Sequence, residues 1–119
     1  MIENNDIVVS FDFDGTLSLP SVQEFAKDLI KGGFNVMVTT TRHSKYLNQD
    51  LIRITDKLGI NKVVYTNGDK KFYYMDGIDI HFDNEDHELR DISRNTETEV
   101  INVTEKEWIQ TAKNLLNWT

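Results

Sequence analysis

The stretch Ile7-Val8-Val9-Ser10-Phe11-Asp12-Phe13-Asp14-Gly15-Thr16-Leu17 constrains this chain more than any other. It opens as an apolar, β-branched run, the pattern of a strand buried on both faces, as central parallel strands are. Asp12 and Asp14 follow at i and i+2, and Gly15 supplies the backbone freedom for a sharp turn off the strand end. Carboxylates crowded at the mouth of a buried strand repel one another. A divalent cation or a shared proton relieves that repulsion, so the pair points to oxygen-ligated Mg²⁺ chemistry. A solvated Asp-rich turn is the plain alternative for the same residues. An EF-hand loop is excluded, because its glycine position would fall on Leu17 and its bidentate glutamate position on Gln23.

With 119 residues the chain is expected to form one domain with no room for a second module. The absence of cysteine excludes disulfides, zinc-thiolate sites and thiol catalysis. No apolar run reaches the length of a membrane span, and the acidic start lacks the basic region of a signal peptide, so a cytoplasmic setting is the default expectation. A net charge of −7 argues against extended nucleic-acid binding, although Arg42, Lys45, Lys70 and Lys71 could form a small basic rim near the motifs.

Along the chain, Ser21 and Glu24 have the spacing of a capping box, followed by an apolar stripe of Val22, Phe25, Ala26, Leu29 and Ile30 and a stop at Gly32-Gly33. A second strand, Phe34 to Thr41, runs into hydroxyl residues and Arg42, which suits a carboxyl end facing a ligand. A helix from about Ser44 to Leu58 is expected, with Leu47, Leu51, Ile54 and Leu58 on one stripe. Short strands follow at Asn61–Tyr65, at Gly77–Asp83 and at Glu99–Val103. The pattern ends in an amphipathic helix carrying Trp108, Ile109, Ala112, Leu115 and Leu116, with Thr104 and Glu107 as its capping box. The resulting fold class is α/β: a three-layer, Rossmann-like domain of about five mainly parallel strands.

The run Phe11-Asp12-Phe13-Asp14-Gly15-Thr16-Leu17 resembles the first motif, hhhDxDGT, of the haloacid dehalogenase-like (HAD) phosphohydrolases. Weaker matches to the other three motifs extend the resemblance over roughly Ile7 to Asp86. It implies a Mg²⁺-dependent phosphomonoester hydrolase in which Asp12 forms an aspartyl-phosphate and Asp14 acts as acid and then base. It implies Thr40 as the phosphate-binding hydroxyl, with Thr39 the runner-up. Lys71 is the best match for the third-motif lysine and Lys70 the alternative, with Arg42 as a possible substitute cation. The implied metal ligands are Asp12, Asp83 and the carbonyl of Asp14; Asn84 stands where a paired aspartate would be, and either it or Asp86, directly or through water, completes the shell. The resemblance also places the Asp12 strand centrally, between those of Thr40 and Asp83.

Only about six residues separate Asp14 from the first helix, too few for a cap domain. Capless members have open sites, suited to large phosphorylated substrates or to completion by another subunit in a homo-oligomer. No histidine is assigned to the metal, since Mg²⁺ prefers oxygen. His81 is expected to point away from the Asp83 side, and His87 to lie on the surface. Two other readings stay open: a catalytically weak binding or regulatory module, and a receiver-like phosphoacceptor domain, although the third strand ends Val64-Tyr65-Thr66 without an aspartate.

Overall fold

The computed structural model describes residues 3–118. Five strands, β1 (Val8–Phe11), β2 (Asn35–Thr40), β3 (Val63–Tyr65), β4 (Ile80–Asp83) and β5 (Glu99–Asn102), form one sheet in the order β3-β2-β1-β4-β5. Every neighbouring pair is parallel, so the sheet is wholly rather than mainly parallel. β1 is central, with β2 and β4 on its two sides, and its carboxyl end therefore meets theirs.

Strand alternation divides the sheet into two unlike faces. Val9, Phe11, Val36, Val38, Ile80, Phe82 and Ile101 face one layer, formed by α1 (Pro20–Lys31), α2 (Gln49–Leu58) and α4 (Trp108–Leu116). This side holds the larger core: Phe11 stacks on Phe82 with centroids 4.6 Å apart, and Trp108 meets Phe25 edge-on at 5.1 Å. Trp118 also belongs here, edge-on to Phe34 at 5.4 Å, and closes the core at the chain's end. Val8, Met37, Val64 and Val100 face the other layer, formed by α3 (Asp86–Asn95) and a single turn of 3₁₀-helix at Lys71–Tyr74. Ser10, Thr39, His81 and Asp83 lie on this second side too, all at 0% exposure.

Several local expectations are corrected. The Ser21–Glu24 capping box does not form, because Pro20 starts α1 one residue earlier with Leu19 as its cap. The Thr104–Glu107 box fails as well: the Thr104 hydroxyl donates to Asn102 Oδ1 at 2.7 Å, and α4 begins only at Trp108. The second helix starts at Gln49, not Ser44, and Leu47 stands outside it with φ of 51° and 85% exposure. α3 is absent from the sequence-based expectation. Among the described residues no helix is long and apolar enough to cross a membrane.

Candidate active site

β1 delivers Asp12 to the carboxyl edge of the sheet, where its N–H donates to the Phe82 carbonyl of β4 at 2.8 Å. The chain then turns sharply through Phe13–Leu17, with Gly15 at φ of 75°. Glycine is required there twice over: a side chain would strain the backbone, and its Cβ would stand 2.5 Å from the Asn84 side-chain amide. The turn brings Thr16 back to the strand end, where its hydroxyl donates to Asp12 Oδ2 at 3.1 Å.

Lys71 reaches Asp12 from the other side. Its Nζ lies 2.7 Å from Asp12 Oδ1 and 2.6 Å from Asp83 Oδ2, with a side chain only 2% exposed. Its backbone N–H donates to Glu88 Oε2 of α3, so α3 holds the lysine segment in place. Lys70 points outward, 3.8 Å from Asp91, so of the two lysines it is Lys71 that stands at Asp12.

Asp83 is saturated. Oδ1 accepts the N–H groups of Asn84 and Glu85, and Oδ2 accepts from Lys71 and from His81 Nε2 at 2.8 Å. His81 thus lies on the same side as Asp83, contrary to expectation, because residues two apart on a strand share a face. Asp86 is turned elsewhere and takes the Asn102 side-chain amide at 2.6 Å. It starts α3, and the helix carries it over β5, away from Asp12.

The Asn84 amide, in the orientation its neighbours require, points Nδ2 at three oxygens: the Asp14 carbonyl at 2.9 Å, Asp12 Oδ2 at 2.9 Å and Thr16 Oγ1 at 3.2 Å. Arg42 grips the remaining carboxylate. Nε and Nη2 donate to the two oxygens of Asp14 at 3.0 and 2.8 Å, while Nη1 and Nη2 hold Asp50 at 2.7 and 3.0 Å. The guanidinium also lies over the Phe13 ring, 4.9 Å from its centroid. The fork of Arg42 holds the Asp50 carboxyl down at about 2 and is itself held well above its ordinary value.

The electrostatics follow from one ammonium serving two buried carboxylates. Burial pushes Asp12 up to about 7, against the pull of Lys71. Burial would raise Asp83 too, but the His81 hydrogen bond and the Lys71 ammonium outweigh it and hold Asp83 well below the usual carboxylate range. Burial opposes the charge on Lys71, yet the two carboxylates keep it above its ordinary value. His81, fully enclosed, is pushed down by burial and stays neutral.

Above these groups lies an open depression of about 520 Å³, with Asp12, Asp14 and Lys71 on its floor and Thr41, His43 and Glu85 among its walls. Thr40 does not line it. That side chain is buried, and its hydroxyl accepts the Arg42 N–H at 3.2 Å. Thr39, the runner-up, is committed to Ser10 at 2.7 Å. Thr41, one residue beyond the strand, provides the accessible hydroxyl. A larger depression, about 680 Å³, opens at the amino ends of the strands between Asp6, Asp76, Asp79 and Glu97, and among the described residues no lysine or arginine lines it.

A hard cation needs oxygens converging on one point. Asp12 Oδ2, the Asp14 carbonyl and Thr16 Oγ1 do converge, but on the Asn84 amide, so an ion there would have to push that side chain aside, with Asn84 Oδ1 turned onto it. Asp83 and Asp86 do not join them, and among the described residues no three His, Asp or Glu side chains cluster as a metal site. The donors that fit are therefore Asp12, the Asp14 carbonyl and Asn84.

No family model matches the chain, and no curated protein does. A solved structure of an uncharacterized protein from Corynebacterium glutamicum ATCC 13032 is similar at a TM-score of 0.70 and 13% identity, covering 94% of this chain and 96% of the other. That likeness carries the fold: an α/β arrangement shared over nearly the whole of both chains.

Proposed function

We propose that this chain is a phosphomonoester hydrolase of the HAD type, working through an aspartyl-phosphate on Asp12. One observation carries the reading: Asp12 stands at the carboxyl end of the central strand, open to the depression, with a buried ammonium on one oxygen and hydroxyl and amide donors on the other. A carboxylate so held is oriented for attack, and Lys71 balances charge on the phosphoryl oxygens as the bond to Asp12 forms. The ester oxygen leaves with the proton of Asp14. A water then attacks the acyl-phosphate, giving its proton back to Asp14, and inorganic phosphate departs. For Asp14 to act it must let go of Arg42, and an arriving phosphate, itself a ligand for a guanidinium fork, competes for the same donors. Mg²⁺, held by Asp12, the Asp14 carbonyl and Asn84, would neutralise charge on the transferring group.

The test is release of inorganic phosphate with Mg²⁺ present, over a panel of nucleotides, sugar phosphates and oligonucleotides with phosphorylated ends. Turnover of any panel member that disappears in Asp12→Asn supports the reading, and a folded wild type inert towards the whole panel refutes it. A non-catalytic binding module is the second reading, favoured by the commitment of Asp14 to Arg42. It predicts phosphate-ester binding without turnover. A receiver-like domain is disfavoured, because β3 lies at the sheet edge and ends at Tyr65, with Thr66 rather than an aspartate next.

The metal assignment has its own consequence. Asn84→Asp puts a charged oxygen where a neutral amide now sits, and calorimetric titration should show Mg²⁺ binding tightened by on the order of tenfold. Asp86→Ala should leave the titration unchanged. A large loss in Asp86→Ala, or no change in Asn84→Asp, would overturn this donor set.

A further inference from the structure

A row of buried polar groups runs beneath the site through three adjacent strands. Thr39 Oγ1 on β2 lies 2.7 Å from Ser10 Oγ on β1, and Ser10 Oγ lies 3.0 Å from His81 Nδ1 on β4. His81 Nε2 continues the row to Asp83 Oδ2 at 2.8 Å, and Lys71 carries it to Asp12. Its direction is set from one end. Asp83 only accepts, so His81 Nε2 must carry the ring proton, which leaves Nδ1 to accept the Ser10 hydroxyl. Ser10 Oγ in turn takes the Thr39 hydroxyl proton. Met37, Met75 and Ile92 pack on this same side of the sheet, and a leucine at position 81 would suit such surroundings without burying a polar ring.

The row ends on the residue that competes with Asp12 for Lys71. A carboxylate that already takes three N–H donors pulls less strongly on an ammonium than one that takes two. Without the His81 donor, Asp83 Oδ2 would have Lys71 alone and would draw it away from Asp12. We infer that His81 is a positioning residue: through its Nε2–H on Asp83 it sets how Lys71 is shared between Asp83 and the nucleophile. The inference rests on the reading of Asp12 as phosphoryl acceptor.

Two substitutions separate this role from simple packing. His81→Leu has similar bulk and no donor, whereas His81→Gln restores an N–H near the Nε2 position. Nitrogen-15 NMR of the wild type should show His81 protonated on Nε2 alone. His81→Leu should move the Lys71 ammonium signal and lower kcat by about 10- to 100-fold, the range seen when an outer hydrogen-bond partner is lost, with KM within about twofold. His81→Gln should recover most of both. Ile92→Ala, which opens the same face, should lower the unfolding temperature and leave kcat unchanged. A ring protonated on Nδ1 would overturn the proposal, and so would a folded His81→Leu protein with wild-type kcat and an unmoved Lys71 signal. Equal loss of kcat in Ile92→Ala would reduce His81 to packing. The spectra are read without substrate, so a wild type that hydrolysed no ester would sink the hydrolase reading while the ring tautomer and the Lys71 signal still decided this one.

Discussion

Asp12→Asn is expected to abolish turnover, by at least about 10³-fold in kcat, while leaving the chain folded and more stable than the wild type at pH 8. The two halves of this result share a cause. Among the described residues Asp12 is the only carboxylate that both pairs with the Lys71 ammonium and faces the depression, so its amide cannot form the acyl-phosphate. The same carboxylate is unwelcome to the fold, since burial lifts it from 3.8 to about 7. Between those values the folded chain binds more protons than the unfolded chain, so wild-type stability falls as pH rises from about 4 to about 7. Asparagine carries no charge to bury and removes that slope. Thermal unfolding of both proteins at pH 4 and pH 8 checks it: the variant should gain on the wild type at the higher pH only. Catalysis needs the carboxylate, so wild-type kcat/KM should fall as pH drops through about 7, unless bound Mg²⁺ moves the limb lower.

Lys71→Met carries the second largest effect. Loss of the ammonium removes the charge that faces the phosphoryl group, and kcat should fall by about 10²- to 10³-fold, as for loss of one well-placed electrostatic donor. Stability should fall too, by about 3–5 kcal/mol, because Asp12 and Asp83 would then share a buried site without their counterion. The sign with pH is fixed. Without Lys71 one of the two carboxylates takes up a proton in the folded chain, so the deficit is small in acid and grows as pH rises above the unfolded value near 4. Unfolding curves for the variant at pH 5 and pH 8 read this directly. Lys70→Ala, 64% exposed and 3.8 Å from its nearest acid, should change neither rate nor stability by more than a small amount.

Much of this site was legible because β1 announces itself. An apolar run long enough to be buried, two aspartates, glycine and threonine leave little freedom over where Asp12 stands, and the flanking apolar runs place β2 and β4 beside it. Lys71 could be separated from Lys70 because apolar residues follow it directly. What stayed hidden depends on contacts between distant segments. α3 buries only Leu89 and Ile92 among its apolar residues, so no stripe revealed it, and with it went Glu88 and the fate of Asp86. Asn84 looked like a missing ligand, and its approach to Asp12 and Asp14 is visible only once Gly15 has turned the chain beneath it. His81 was misplaced although period-2 alternation from Asp83 would have put it on the right face. Arg42 was recognised as a cation near the site, but its grip on Asp14 depends on Asp50, eight residues on, at the start of α2.

Trapping the intermediate tests the central claim most directly. An active ester from the panel is mixed with the chain and Mg²⁺, quenched during turnover and reduced with borohydride, which converts an aspartyl-phosphate to homoserine. Peptide mass spectrometry should then find homoserine at position 12, only when substrate is present and not in Asp12→Asn. Turnover with an unmodified Asp12, or with the reduced residue at Asp14 or Asp83 instead, would contradict the account.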